Sequence, residues 1–321
     1  MRVLIALDDS SVSRAALYSV RDRLWPDGTS FNLCTVVPAL CDRPYAAYRN
    51  AATLAKLRKE MSQQAGVFLQ ACFAGFKAAL PQSNVSAEIE YGDVAEKIVS
   101  RASMWGADLI VMGSNIRSPI QKHALGSVAE AVVERATCDV DVIKLQPIIG
   151  NLKIAEQTKV LVCYDGSPHA KAAVNWITAG AWTPDQAFIV LTVVGPRGHQ
   201  DLLQSIYHHA DSAHLNPVGQ VQYHLDQLVR DLQRNLPSNP IQPMVVEGFA
   251  AESILQVADG LNCGLVILGA HNDDPAVSPN KLSSLARAVA GQAKCCVKIV
   301  RQRSHIETDT LLNELKLMSV C

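Results

Sequence analysis

Gly113 and Gly126 frame the stretch of this chain best equipped for chemistry. Between them run Ser114-Asn115-Ile116-Arg117-Ser118, then Pro119 and Lys122, and Gly126-Ser127 opens an expected helix. Glycine lets a backbone approach a phosphate closely, and a helix N-terminus offers unpaired N–H groups and the positive end of its dipole. Ser127 adds a hydroxyl, while Arg117 and Lys122 add charge. Asp8-Asp9-Ser10 follows the apolar run VLIAL near the start. Asp8 there can accept hydrogen bonds from ribose hydroxyls or an adenine amine. Equally, Asp or Ser at that point can cap the next helix, and the residues alone leave both roles open.

Other chemistries find little support. GxSxG, HExxH and Walker-type GK[ST] motifs are absent, and DDSS and DGSP lack the glycine pair of an SGGxDS loop. An enzyme is therefore not expected, and slow ATP hydrolysis is the most that remains. His199, His208, His209, His214 and His224 crowd one region beside Asp201 and Asp211. His208 and Asp211 share a helix face, but His209 does not, so the several convergent ligands of a zinc site are not supplied. No metal site is expected. The 9 cysteines form no CxxC pair, and several fall inside expected strands, as small buried residues do in a reducing cytoplasm.

The elements that must position these groups occur twice. MRVLIALDDSSVSRAAL returns as TKVLVCYDGSPHAKAAV from Thr158, and EYGDVAEKIVSRASMWGADLIVMGSN returns as VEGFAAESILQVADGLNCGLVILGAHN. Asp8 matches Asp165, Gly92 matches Gly248 and Gly113 matches Gly269, at an offset of about 156 residues. That period is a whole α/β domain, duplicated. Short β-branched runs alternate with helical stretches, the signature of a parallel sheet. In the first copy the expected strands are VLIAL, FNLCTVV, VSAEIEY, ADLIVMG and DVDVIKL; in the second they are KVLVCY, AFIVLTVV, QPMVVEG, GLVILGA and CCVKIV. Ser10 or Ser11 caps a helix expected to reach about Trp25, and a long helix is expected over 51–80. The expected divisions are a first domain, 1–147, a second, 157–302, and a polar tail, 303–321, with a linker from Gln146 to Gln157. Trp25, Trp105, Trp176 and Trp182 read as core or helix-end packing, and Tyr45 and Tyr48 as a cover over the sheet.

A formal net charge of -1 argues against a sequence-independent nucleic-acid binder, which needs a basic face. No apolar run approaches the roughly 18–20 residues of a spanning helix, and no signal peptide is visible, so a cytoplasmic protein without membrane contact is expected.

Taken together, VLIALDDSS, GDVAEKIV, ADLIVMGSN and GSVAEAVV, with VLVCYDGSPHAKAAV and LVILGAHN in the second half, resemble the universal stress protein family in its tandem, two-domain form. The resemblance implies two five-stranded parallel sheets flanked by helices, of the Rossmann-like adenine-nucleotide hydrolase type. It also implies pairing of the halves through their last strands into an internal pseudo-dimer, with a higher homo-oligomer open. ATP-binding members carry G-x2-G-x9-G-[ST] after the fourth strand. Gly113, Gly126 and Ser127 match that pattern, but Ile116 replaces its middle glycine. Asp8, Val36, Met112 and Val128 match positions that contact adenosine or phosphate, and Asn115 and Arg117 lie in the same loop. The second copy keeps Gly269, but Asp273, Asp274 and Pro275 follow, and Leu282 is aligned with Gly126. The expectation is a stress-response binding protein that takes ATP in the first domain only. The alternative is a nucleotide-free module for an unknown protein partner.

Overall fold

The computed structural model describes residues 1–39, 51–114, 125–148, 151–153, 158–195, 217–270 and 283–301. The first half runs β1 (Arg2–Leu7), α1 (Ser11–Arg21), β2 (Ser30–Pro38), α2 (Ala51–Ala79), β3 (Asn84–Gly92), α3 (Val94–Trp105), β4 (Leu109–Gly113), α4 (Ser127–Arg135) and β5 (Asp139–Ile143). A short antiparallel pair follows, β6 (Gln146–Ile148) with β7 (Asn151–Lys153). The second half runs β8 (Lys159–Cys163), α5 (Pro168–Ala179), β9 (Ala187–Val194), α6 (Pro217–Asn235), β10 (Ile241–Glu247), α7 (Ala250–Gly260), β11 (Leu265–Gly269), α8 (Ser284–Gln292) and β12 (Cys296–Val300).

Ten strands form one sheet in the order β10-β9-β8-β11-β12-β5-β4-β1-β2-β3. Pairing within each half is parallel, and the halves join where β12 meets β5 antiparallel. Strand alternation explains the layering. Leu4 and Ala6 point into the apolar cluster under α3, α4, α7 and α8, while Val3, Ile5 and Leu7 point into the one under α1, α2, α5 and α6. Central strands are buried on both faces and accordingly read as unbroken apolar runs. Pro243, which cannot donate to a ladder, sits in β10 at one edge of the sheet.

Two details differ from the sequence reading, and one choice it left open is decided. Helix α1 stops at Arg21, short of Trp25. Its end is closed by the Asp22 N–H on the Tyr18 carbonyl and by the Trp25 indole N–H, which donates to the Val20 carbonyl at 2.7 Å. Trp182 does the same for α5, donating to Ile177 at 2.7 Å. The expected linker contains the β6–β7 pair. Of Ser10 and Ser11, Ser10 is the cap of α1, accepting from the Ser13 N–H.

The join is reinforced reciprocally. Lys144, just after β5, donates to the Gly291 and Ala293 carbonyls at the end of α8, at 3.2 and 2.6 Å. Arg301, just after β12, donates to the Val133 carbonyl in the last turn of α4 at 2.6 Å. Each half thus places a cation on the orphan carbonyls and negative dipole end of a helix in the other.

Candidate functional site

In each half the strand order reverses beside the first strand, between β1 and β4 and between β8 and β11. Ligands of open α/β sheets bind outside the carboxyl ends of the strands at such a point. In the first half β1 delivers Asp8 there, β2 delivers Val36, β4 delivers Met112 and Gly113, and α4 begins at Gly126-Ser127.

Met112 is buried, Val36 and Val128 are half-buried, and all three pack in one cluster with Ala6, Cys34 and Leu125. They make an apolar floor of the kind a heterocycle stacks on. Cys34 within it is no nucleophile, since burial pushes its thiol up to about 12.

Asp8 is exposed, and its Oδ1 accepts from both the Ser10 N–H and the Ser10 hydroxyl, while its own N–H donates to Ser13 Oγ at 2.9 Å. Asp165 likewise accepts from the Ser167 N–H at 3.0 Å. The carboxylate therefore organises the turn into the first helix of both halves, whatever else it binds.

Gly113 also has a structural task. A Cβ built on it would lie 2.8 Å from the Val12 carbonyl carbon and 2.9 Å from the Val12 oxygen. On Gly269 the matching Cβ would lie 2.4 Å from the His169 carbonyl carbon. Both glycines let the start of a helix lie directly on the end of a central strand.

The halves part at the next helix. Gly126 is the N-cap of α4 and provides no side-chain cap. The matching cap in the second half is Ser283, not Leu282, because α8 opens at Ser284 as α4 opens at Ser127. The Ser283 hydroxyl accepts from the Ala286 N–H at 3.2 Å. One N–H at the start of α8 is thus capped by its own chain, whereas among the described residues no side chain caps the start of α4. Ser114, to which the sequence pattern assigned no role, follows β4, and its buried hydroxyl has no hydrogen-bond partner among the described residues. Its counterpart is Ala270: both backbone N–H groups bond across to the fifth strand, to Ile143 and Val300. Only the first half carries an unmatched hydroxyl here.

Asn115 and Arg117 lie outside the described residues, as do Ile116, Pro119, Lys122, Tyr45, Tyr48, Asp273, Asp274 and Pro275. The histidine group also lies outside, except His224 on α6, whose ring meets that of Tyr223 edge-on. Among the described residues, no cluster of His, Cys, Asp or Glu is placed to hold a metal ion. Among them too, no helix is long and apolar enough to cross a membrane. A cleft of about 890 Å³ opens on the other face, between α1 and α2, lined by Arg14, Tyr18 and Phe68 among others. It does not include the strand-end residues Val36, Met112 or Gly126.

A doubled three-layer α/β sheet, its halves joined through their last strands, defines the class of molecule. Residues 1–144 and 157–301 each match the model of the universal stress protein family, and the chain belongs to that family as a tandem repeat. A universal stress protein from Archaeoglobus fulgidus shares the fold over 94% of this chain and 97% of its own, with a TM-score of 0.63 and 17% identity. A functionally unknown protein from Pseudomonas aeruginosa is similar over 99% and 96%, with a TM-score of 0.55 and 13% identity. In sequence, a universal stress protein of Methanothermobacter thermautotrophicus is 34% identical over 87 residues, 27% of this chain and 59% of that relative.

Proposed function

We propose that this protein is a nucleotide-linked regulator that binds one adenine nucleotide, ATP, in its first half and uses its second half as a structural partner. The observation that carries the reading is the contrast between two otherwise matching helix starts. Gly126 gives α4 no side-chain cap, whereas the Ser283 hydroxyl accepts from the Ala286 N–H of α8. Ser114 adds a buried, unmatched hydroxyl in the same half. Val36, Met112 and Val128 would carry the adenine, Asp8 the ribose or adenine amine, and Gly126 and Ser127 the phosphates, with Asn115 and Arg117 in the connecting loop. No catalytic residue is assigned. The 7 cysteines among the described residues form no disulfide with one another, which suits a reducing compartment such as the cytoplasm.

Isothermal titration with ATP tests the reading. One nucleotide per chain is expected, with binding lost in Gly126→Asp, where a carboxylate would face the phosphates. Two per chain, or undiminished binding in Gly126→Asp, would overturn it. Ile116, a β-branched residue where the family pattern has glycine, favours the second reading, a nucleotide-free interaction module. An empty protein by mass spectrometry of released nucleotide, with no ATP-dependent thermal shift, would select that reading.

A further inference from the structure

Asp141 and Lys298 are the same position in the two halves, the third residue of DVDVI and of CVKIV. The antiparallel join sets them directly opposite each other. They are 2% and 0% exposed, so neither charge has water to fall back on. Lys298 Nζ lies 2.5 Å from Asp141 Oδ1 and 4.1 Å from the centre of the Trp176 ring of α5. Arg23, beyond the end of α1, takes the other carboxylate oxygen. Burial pushes the Asp141 carboxyl up, but Lys298 and then Arg23 outweigh it and hold it below the usual carboxylate range.

An antiparallel join of this kind has a local two-fold axis. If either half paired with a second copy of itself, its central residue would face itself across that axis. Two first halves would set Asp141 against Asp141, each with its own Arg23 but without Lys298, and two second halves would set Lys298 against Lys298 without Asp141, in a dry interior. A second contact points the same way. Arg287 of α8 pairs with Glu134 of α4 at 2.7 Å. The position in α4 that matches Arg287 is Glu130, so a pairing of two first halves would set acid beside acid.

We propose that Asp141 and Lys298 make the β5 edge a recognition surface that accepts a β12 edge of this chain and rejects its own kind. The duplicated halves are thereby committed to unlike pairing. A buried ion pair contributes little stability compared with apolar residues of similar size, but it excludes partners that leave a charge unmatched. The pair is thus a specificity device, and the sheet edges left for any further assembly are β3 and β10.

A protease site placed within residues 154–157 of the full chain provides the test. The folded protein is cleaved, the fragments are separated in urea and returned to buffer, and native mass spectrometry counts the pairs. Only one-to-one pairs of first and second half are expected, with like pairs below about one hundredth of the total. Like pairs should appear in cleaved Arg23→Met/Asp141→Leu/Lys298→Met. Abundant like pairs from the wild type would overturn the proposal. Thermal unfolding of the uncleaved chain is a second, independent readout. The apolar triple variant Arg23→Met/Asp141→Leu/Lys298→Met, which leaves no charge of the group behind, should melt no lower than wild type, and Lys298→Met alone should melt lower. A triple variant melting well below wild type would assign the group to stability and reject the specificity reading.

Discussion

Gly113→Ala separates packing from ligand binding at the end of β4. The new Cβ would lie 2.8 Å from the Val12 carbonyl carbon and 2.9 Å from Val12 O and Cγ1. Carbon atoms in good contact sit about 3.5–4.0 Å apart, so the start of α1 must retreat by roughly 0.7 Å. The obstacle is backbone, and α1 is anchored on the sheet by Ala15, Ala16, Leu17 and Val20, so no flexible side chain can absorb the shift. Overpacking of this kind costs about 1–3 kcal/mol. Gly269→Ala should cost more, because its Cβ would lie 2.4 Å from both the His169 carbonyl carbon and oxygen. Gly75→Ala is the control with the opposite sign. It is exposed on α2 with nothing within 4 Å of the added Cβ, so exchanging helical glycine for alanine should stabilise by about 0.5–1 kcal/mol. Urea unfolding followed by tryptophan fluorescence should rank the proteins Gly75→Ala, wild type, Gly113→Ala, Gly269→Ala, from most to least stable. If Gly113→Ala matched wild type, the close approach of α1 to β4 would not be what requires glycine. Its ATP affinity, measured on folded protein, should fall less than that of Gly126→Asp.

Further outcomes follow from the same geometry. Burial lowers the Lys144 ammonium to about 8, so between that pH and its ordinary value of 10.5 the unfolded chain binds more protons. Stability from this group is then low below pH 8 and rises through that window, by at most about 1.4 kcal/mol per pH unit. Subtracting the Lys144→Met curve from wild type, by urea unfolding at pH 8, 9 and 10, should isolate that rise. A difference that stays flat or falls with pH would contradict it. Trp25→Phe and Trp182→Phe each remove an indole donor from a helix-end carbonyl and should each cost about 1 kcal/mol in the same assay. Equal stability to wild type would mean that neither indole closes its helix. Gly126→Asp supplies a capping carboxylate to α4 and should leave stability unchanged or a few tenths of a kcal/mol higher while it removes nucleotide binding. A destabilised Gly126→Asp would tie the loss to folding instead.

Much of the fold was legible in the chain because each strand and helix carries its own period. VLIAL, ADLIVMG and their repeats are apolar throughout because parallel central strands are covered on both faces, and the repeat placed every element twice. The β6–β7 pair was not legible, since Gln146–Ile148 and Asn151–Lys153 show neither alternation nor an apolar run. At the site, residue type located the groups but not their tasks. Gly113 reads as a phosphate glycine, and only the nearness of Val12 reveals its packing role. Asp or Ser could cap the first helix; Ser10 and Ser167 are the caps, and Asp8 and Asp165 hold the turns that lead into them. Leu282 was aligned with Gly126 by a constant offset. The true partner, Ser283, appears only once both helix starts are in view. Lys144, Arg301, Asp141 and Lys298 carried no signal at all, because their meaning lies in the other half of the chain.

The duplication itself explains why the halves drifted in opposite directions. A helix start selected for stability alone acquires a hydroxyl or carboxylate cap, and α8 has one in Ser283. The same position in α4 keeps Gly126, giving up a few tenths of a kcal/mol that a serine would supply. A local departure from the stabilising choice, in the half where the buried Ser114 hydroxyl has no partner among the described residues, is where a binding function is expected. In a symmetric homodimer no such division is open, because a cap gained in one subunit closes the other as well. Joining two copies in one chain permits it, provided the halves meet each other and not themselves. The Asp141–Lys298 pair would meet that condition under the pairing proposed above, and the unlike join and the uncapped start of α4 would then be two parts of one arrangement.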